Sequence, residues 1–166
     1  MATILRRMEV EMLEGGCACG AVRYRLKSGP MFVNCCHCQD CQRQLGSAFV
    51  INAVIETDRI EVLSGDLAVT TLPTESGRPH DVYRCAGCGT TIWSDYGRRK
   101  VMSFLRATTL DDRAALSPDA HIFTRSKLPW VRLPDDVPAF EVFYDLPAQW
   151  PAESLARLQA VMGPAR

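Results

Sequence analysis

The sequence has no excess of charge of either sign. Its 166 residues contain 19 Lys and Arg against 19 Asp and Glu, so the formal net charge is zero. Proteins that bind nucleic acid usually carry a basic excess that pairs with the phosphates. We therefore expect no nucleic-acid partner.

Long apolar segments are also missing. A membrane-spanning helix needs about 20 consecutive apolar residues, and no segment of this chain meets that requirement. The segment before Cys17 does not resemble a signal peptide, because Glu9, Glu11 and Glu14 interrupt it. We therefore expect no membrane association and a cytoplasmic location.

Internal repeats and low-complexity tracts are absent as well, and turn residues separate many short apolar segments. This pattern predicts strands at 21–27, 47–55, 59–63, 67–72, 80–84, 90–94, 100–106 and 140–144. The segment 128–138 contains three prolines and is predicted to be an extended loop. Residues 151–162 have apolar side chains at helical spacing before Gly163 and Pro164. The prediction is a mainly-β fold with a C-terminal helix.

Cysteine, in contrast, is abundant, with eight residues in the chain. Seven of them form three close groups: Cys17 and Cys19; Cys36, Cys38 and Cys41; Cys85 and Cys88. In a reducing cytoplasm, such groups are typical of metal sites rather than disulfides. Cysteines this close on a short turn also fit disulfide geometry poorly.

The sizes of these groups suggest two kinds of zinc site. Four thiolates close a structural zinc site, whereas three leave one position open, as a catalytic zinc requires. We name Cys36, Cys38 and Cys41 the tripod. Three thiolates more than neutralise Zn²⁺, so this site favours a further sulfur ligand over the activation of water. A substrate thiol, or a thiol adduct, is therefore the expected ligand.

The spacing also allows a different pairing of the cysteines. Cys38 and Cys41 could join Cys85 and Cys88 in one zinc ribbon. The remaining cysteines would then form a second closed site: Cys17, Cys19, Cys35 and Cys36. This alternative describes a purely structural module with two zinc ions.

Several motifs together resemble a known family. They occupy 16–20, 36–43, 46–49 and 85–90, with supporting matches at 109–112, 120–123 and 129–130. The pattern is similar to that of the glutathione-dependent formaldehyde-activating enzyme (GFA) family, also called the centromere-protein-V-like family. The similarity extends from about residue 15 to residue 145.

The resemblance implies a β-tent-like fold of coiled β-sheets, with an extension at 1–14, a zinc domain at 15–147 and a helical end at 148–166. It implies two zinc ions per chain, the tripod holding the catalytic one. The structural zinc would be held by Cys17, Cys19, Cys85 and Cys88. The family reaction joins glutathione and formaldehyde in S-hydroxymethylglutathione, or cleaves that adduct, and is a carbon–sulfur lyase reaction. A small thiol, such as glutathione, and an aldehyde are the partners it implies.

Three residues near the tripod motif have open roles. His37 could move a proton in catalysis or act as a fourth metal ligand, although an exposed ring on the outer side of the loop is favoured. Cys35 is expected to point away from Cys36, because adjacent strand residues face opposite sides. His121 is either a structural hydrogen-bond partner or, by the resemblance, a site residue.

Three further side chains are candidates for the substrate pocket. Arg43 could offset the thiolate charge or bind a substrate carboxylate, or it could be an ordinary surface arginine. Phe49 and Trp130 could form walls of the pocket, with packing in the core as the default for both.

The main functional hypothesis is a zinc enzyme in which the tripod metal lowers the pKa of a thiol that then adds to an aldehyde. A second hypothesis is a non-catalytic module with two structural zinc ions that docks a protein partner. A third is a redox sensor that releases zinc as disulfides form.

Overall fold

The computed structural model describes residues 13–163, and β-strands dominate that range. The strands are β1 (Glu14–Gly16), β2 (Arg23–Leu26), β3 (Phe32–Cys36), β4 (Val50–Glu56), β5 (Ile60–Ser64), β6 (Leu67–Leu72), β7 (His80–Cys85), β8 (Thr91–Tyr96), β9 (Met102–Arg106) and β10 (Ala120–Ile122). The helices are α1 (Gln39–Leu45), α2 (Leu146–Gln149) and α3 (Ala152–Met162). Short 3₁₀ turns lie at Thr57–Arg59, Ala107–Thr109 and Thr124–Ser126. The predicted mainly-β class with a C-terminal helix is confirmed.

The strands form two sheets. The small sheet has the order β1-β2-β5, and the large sheet has the order β10-β3-β4-β9-β8-β7-β6. Neighbouring strands are antiparallel except for β10, which runs parallel to β3. Within the described residues, no helix is long and apolar enough to cross a membrane.

Each face of the large sheet has its own apolar core. On one face, Tyr24 and Leu26 of the small sheet pack with Leu105 of β9. On the other face, Phe32 packs against Trp150, with ring centroids 5.4 Å apart. Because burial of one large apolar side chain contributes about 1.5–3 kcal/mol, these two cores supply most of the driving force for folding. Because successive side chains of a strand point to opposite faces of the sheet, neighbouring residues of one strand pack into different cores.

The predicted strands agree with the structure except at the C-terminal end, but β1, β3 and β10 were not predicted. Segment 67–72 coincides with β6, and α3 covers the predicted helix. The predicted strand at 140–144 is wrong, since this segment has no regular ladder. It instead follows β10 irregularly, where Phe140 N–H donates to the His121 carbonyl and Phe123 N–H donates to the Val142 carbonyl.

The predicted domain boundaries stay predictions. Most of the predicted extension at 1–14 lies outside the described residues, although Glu14 is already part of β1. The proline-containing segment 128–138 has no helix or strand, as its composition predicts.

Candidate metal centres

The first candidate centre lies where two turns meet. Cys17 and Cys19 follow β1, and Cys85 and Cys88 lie at the end of β7 and in the turn that follows. We call these residues the four-cysteine cluster. The sulfurs all lie within 4.8 Å of one another, with Cys17 Sγ 3.4 Å from Cys19 Sγ and Cys19 Sγ 3.8 Å from Cys85 Sγ. Tetrahedral zinc thiolates have S···S separations of about 3.8 Å, so the four sulfurs fit one zinc ion.

The local backbone supports thiolates at this cluster. Val22 N–H donates to Cys17 Sγ at 3.2 Å, and the Thr90 hydroxyl lies 3.1 Å from Cys88 Sγ. The Thr90 contact is the main reason why the pKa of Cys88 falls to about 5. Gly20 and Gly89 have φ angles of 78° and 74°, which L-residues rarely adopt, and they close the two turns.

The tripod forms the second candidate centre, at the junction of β3 and α1. Cys36 ends β3, Cys38 caps the N-terminus of α1, and Cys41 lies in its first turn. Cys41 N–H donates to Cys38 Sγ at 3.3 Å, which fixes the turn between them. The three sulfurs lie within 4.8 Å of one another, so their spacing also fits one zinc ion.

The observed grouping excludes the ribbon pairing. Cys38 and Cys41 cluster with Cys36, and Cys85 and Cys88 cluster with Cys17 and Cys19. The ribbon alternative is therefore wrong, because the β7–β8 turn lies beside the β1–β2 turn and not beside α1. Every cysteine in the chain is a free thiol.

The tripod thiols compete for protons when no cation is present. Hydrogen bonds from Cys36 and then Cys41 lower the pKa of Cys38 to about 2. The pKa of Cys36 is raised far above its ordinary value, first by its hydrogen bond with Cys38 and then by its hydrogen bond with Cys41. Three adjacent thiols cannot all ionise without a positive charge among them, as expected for a metal-binding group.

A buried arginine that the motifs do not reveal lies close to the tripod. Arg106 is 3% exposed, and its guanidinium donates to Asn52 Oδ1, Gln44 Oε1 and Ser94 Oγ. These acceptors are all neutral. Burial lowers the pKa of Arg106 to about 10, while the tripod sulfurs, Cys41 first, raise it. Arg106 thus stays charged at neutral pH, and the tripod is the source of negative charge that acts on it most.

His37 and Cys35 lie behind the tripod. Both are buried, at 0% and 1% exposure, and Cys35 Sγ lies 3.6 Å from His37 Nε2. Strand alternation places this pair on the face of β3 opposite Cys36. The expected orientation of Cys35 is confirmed, and the favoured picture of His37 as an exposed ring is wrong. Strand β10 covers this ring: His37 N–H donates to the Ile122 carbonyl, and His121 Nδ1 lies 3.0 Å from His37 Nε2.

The candidate pocket residues have different surroundings. Phe49 lines a cavity of about 350 Å³, together with Arg106. Trp130 is 69% exposed, so the default prediction that it packs in the core is wrong. Arg43 is exposed on α1, and the buried arginine near the tripod is Arg106 instead.

A histidine that the sequence motifs do not mark lies on the tripod side of the sheet. His80 pairs with Tyr96 in the β7–β8 ladder, and the pair two positions further along is Val82 with Ser94. Ser94 accepts a hydrogen bond from Arg106, so His80 lies on the same face of the sheet as Arg106. Burial, and then the charge of Arg106, lowers the pKa of His80 to about 4, while Asp40 and Cys38 oppose this shift. Its alternation with buried Val82 was the signal that could have placed it inside the protein.

The fold and the two thiol groups define a mainly-β protein with one closed and one open candidate zinc centre. The model of the glutathione-dependent formaldehyde-activating enzyme family matches residues 12–126. The chain therefore belongs to this family, and membership indicates an enzyme. The comparisons do not show the centromere-protein-V part of the resemblance.

The proteins that are similar to this chain include the following two. A Halomonas elongata protein, provisionally named a glutathione-dependent formaldehyde-activating enzyme, is 27% identical over 157 residues, 92% of this chain and 97% of that protein. A crystal structure of a Rhodobacter sphaeroides protein matches 63% of this chain and 91% of its own, with 20% identity and a TM-score of 0.46.

Proposed function

We propose that the protein is a zinc-dependent carbon–sulfur lyase that forms or cleaves a thiol–aldehyde adduct. Glutathione and formaldehyde are the first pair to test, since the family name and the Halomonas elongata relative support them. The observation that carries the proposal is the composition of the tripod. Among residues 13–163, three thiols converge there without a fourth Cys, His, Asp or Glu.

The two centres would have different roles. Cys17, Cys19, Cys85 and Cys88 would hold a structural zinc ion, and the tripod would hold a catalytic one. When bound at the tripod, zinc supplies a soft cationic partner that stabilises a substrate thiolate. A non-catalytic module would need a protein side chain as the fourth ligand, and the described residues supply none at this distance.

Arg106 would balance the charge of the loaded tripod. Three thiolates and Zn²⁺ carry one net negative charge, and a substrate thiolate adds another. Arg106 supplies a buried positive charge that is held by neutral acceptors, so it is available to offset them. An arginine in this position lowers the cost of collecting negative charge in the protein interior.

A cavity whose wall includes neighbours of the tripod residues offers room for a substrate. Its volume of about 350 Å³ lies within the usual range for ligand pockets, about 300–1,000 Å³. Val50, which pairs with Cys36, and Leu45, one turn after Cys41, form part of its wall. Thr90 and Thr91 contribute polar groups on another side. This mixture suits a small polar thiol such as a peptide thiol.

The proposed reaction forms one bond and moves one proton. The thiol sulfur bonds to the carbonyl carbon, and the thiol proton ends on the carbonyl oxygen; the reverse path cleaves the carbon–sulfur bond. His37 was predicted from sequence to move this proton, but it is fully buried on the face of β3 opposite the tripod. His80 is the candidate instead, because it lies on the same face of the sheet as the tripod.

The test is exchange spectroscopy with ¹³C-formaldehyde and glutathione. Zinc-loaded protein should speed exchange between free formaldehyde and the adduct. Cys38→Ser should lower this catalysed rate at least about 100-fold, since even indirect partners of a metal commonly contribute 10–100-fold. Thr70→Val, on exposed β6, is the control and should keep the full rate. A folded Cys38→Ser variant with wild-type exchange would disprove the proposed role of the tripod.

Other thiols and aldehydes define the substrate class. If glutathione fails, cysteine, cysteinylglycine and coenzyme A should be tested with formaldehyde and with larger aldehydes. A protein with a fully loaded tripod that accelerates none of these pairs would support the binding-module hypothesis instead.

A further inference from the structure

We propose that Cys35, His37 and His121 form a third metal site, which binds zinc through one thiolate and two imidazoles. We call these residues the histidine–cysteine cluster. They are distinct from the seven cysteines assigned above, and each is at least nine-tenths buried, with exposures of 1%, 0% and 7%. The proposal does not depend on the lyase function.

The distances fit a single zinc ion. Cys35 Sγ lies 3.6 Å from His37 Nε2, and His37 Nε2 lies 3.0 Å from His121 Nδ1. All three ligand atoms lie within 4.8 Å of one another. For tetrahedral zinc with ordinary Zn–S and Zn–N lengths, the expected separations are about 3.6 Å for S···N and about 3.3 Å for N···N. The observed contacts are close to both values.

Hydrogen bonding alone does not account for the whole cluster. A ring nitrogen carries either one proton or one lone pair, so it serves one partner well. His37 Nε2 nevertheless faces two partners, the Cys35 sulfur and the His121 ring. A metal ion between the three atoms would satisfy the Nε2 and the sulfur together.

The topology assigns this site a structural role. His121 lies on β10, which pairs with β3 over only three residues, and Cys35 is its direct partner in the register. His37 N–H donates to the Ile122 carbonyl at 3.0 Å, which extends the same junction. A metal bound by both strands would fasten β10 to the strand that ends in the tripod.

The charges of the two neighbouring sites would be complementary. One thiolate and two neutral imidazoles leave Zn²⁺ with one net positive charge, whereas the three tripod thiolates leave one net negative charge. Because Cys35 and Cys36 are adjacent residues, with Cα atoms about 3.8 Å apart, the two sites lie close to each other on opposite faces of β3. Each would reduce the cost of burying the other.

The test is zinc X-ray absorption on the full chain, titrated with zinc until no more binds. All other assigned ligands are cysteines, so scattering from imidazole carbons that is lost in His121→Asn and kept in His80→Asn comes from this cluster. We expect that signature in the wild type and its loss in His121→Asn. His80→Asn is the matched control, since His80 is the third histidine of the chain and lies outside the cluster; it should keep the signature.

Elemental analysis gives the second measurement. His121→Asn and Cys35→Ala should each bind about one zinc ion fewer than the wild type. If His121→Asn fails to fold, the wild-type spectrum and Cys35→Ala still decide the question. Zinc-saturated wild-type protein without imidazole scattering would overturn the proposal and leave an ordinary ring–ring hydrogen bond.

Discussion

The two cysteine groups differ in location as much as in ligand number. In the four-cysteine cluster, Cys17 and Cys85 are buried but Cys19 and Cys88 are exposed, and both turns that carry the ligands lie at the protein surface. In the tripod, Cys36 and Cys41 are buried, with exposures of 4% and 9%. The group with the complete ligand set is therefore the more exposed one.

This contrast has a physical reason. Four thiolates complete the coordination of zinc by themselves, so such a site needs little help from the surrounding protein. A site with three thiolates keeps a position open, and the fold must control what enters it and balance its charge. The tripod has the buried Arg106 close by, whereas the four-cysteine cluster depends on backbone N–H groups and Thr90.

The largest expected effect is on stability, from Cys85→Ser. This substitution should lower the free energy of unfolding by more than about 4 kcal/mol, because a structural zinc site contributes on the order of 10 kcal/mol to folding. Urea denaturation of zinc-loaded protein would measure it. A stability within about 1 kcal/mol of wild type would show that the cluster does not hold the fold together.

The double variant Cys36→Ser/Cys38→Ser should separate the two sites. We expect one zinc ion fewer per chain, a retained circular dichroism spectrum, and a loss of only about 1–3 kcal/mol, the cost of burying an incompletely bonded hydroxyl. Elemental analysis and urea denaturation give both numbers. Loss of the fold together with the metal would make the tripod a structural site and remove the contrast.

Arg106→Met tests whether charge balance distinguishes the tripod. Loss of the buried cation should weaken zinc binding at the tripod about 10-fold, as for other groups next to a metal site, and leave the four-cysteine cluster unchanged. Chelator competition resolves the two affinities. Arg106→Lys should recover part of the loss because it keeps the charge. Arg98→Met, at the exposed Asp81 ion pair, is the control and should change neither affinity.

The sequence predicts the grouping of the tripod cysteines because their spacing is local. Cys36, Cys38 and Cys41 lie within six residues, and a single turn brings them together. Pairing of the two distant turns in the four-cysteine cluster came from the family resemblance, since spacing alone also allowed the ribbon. The geometry then separated these alternatives.

Residues that reach the site from distant strands were not predictable. Arg106 faces the tripod because β9 pairs with β4, where Arg106 lies opposite Asn52. Such pairing is long-range and leaves no local pattern. The burial of His37 was missed for the same reason, since the covering strand β10 comes from more than 80 residues later in the chain. Helix α1 was missed because Gln39–Leu45 is short and has no apolar periodicity.

The smallest expected effect concerns Thr90, whose hydrogen bonds stabilise the four-cysteine cluster and not the tripod. Its hydroxyl lies 3.1 Å from Cys88 Sγ and accepts from Ala18 N–H at 3.2 Å, so it links the two turns. Thr90→Val should lower the free energy of unfolding by about 1 kcal/mol, the usual value of one hydrogen bond, and speed zinc release from this cluster alone. Thr70→Val, on an exposed strand, is the matched control and should have no effect. If zinc instead left the tripod faster, the two centres would be coupled to each other through the cavity that Thr90 lines.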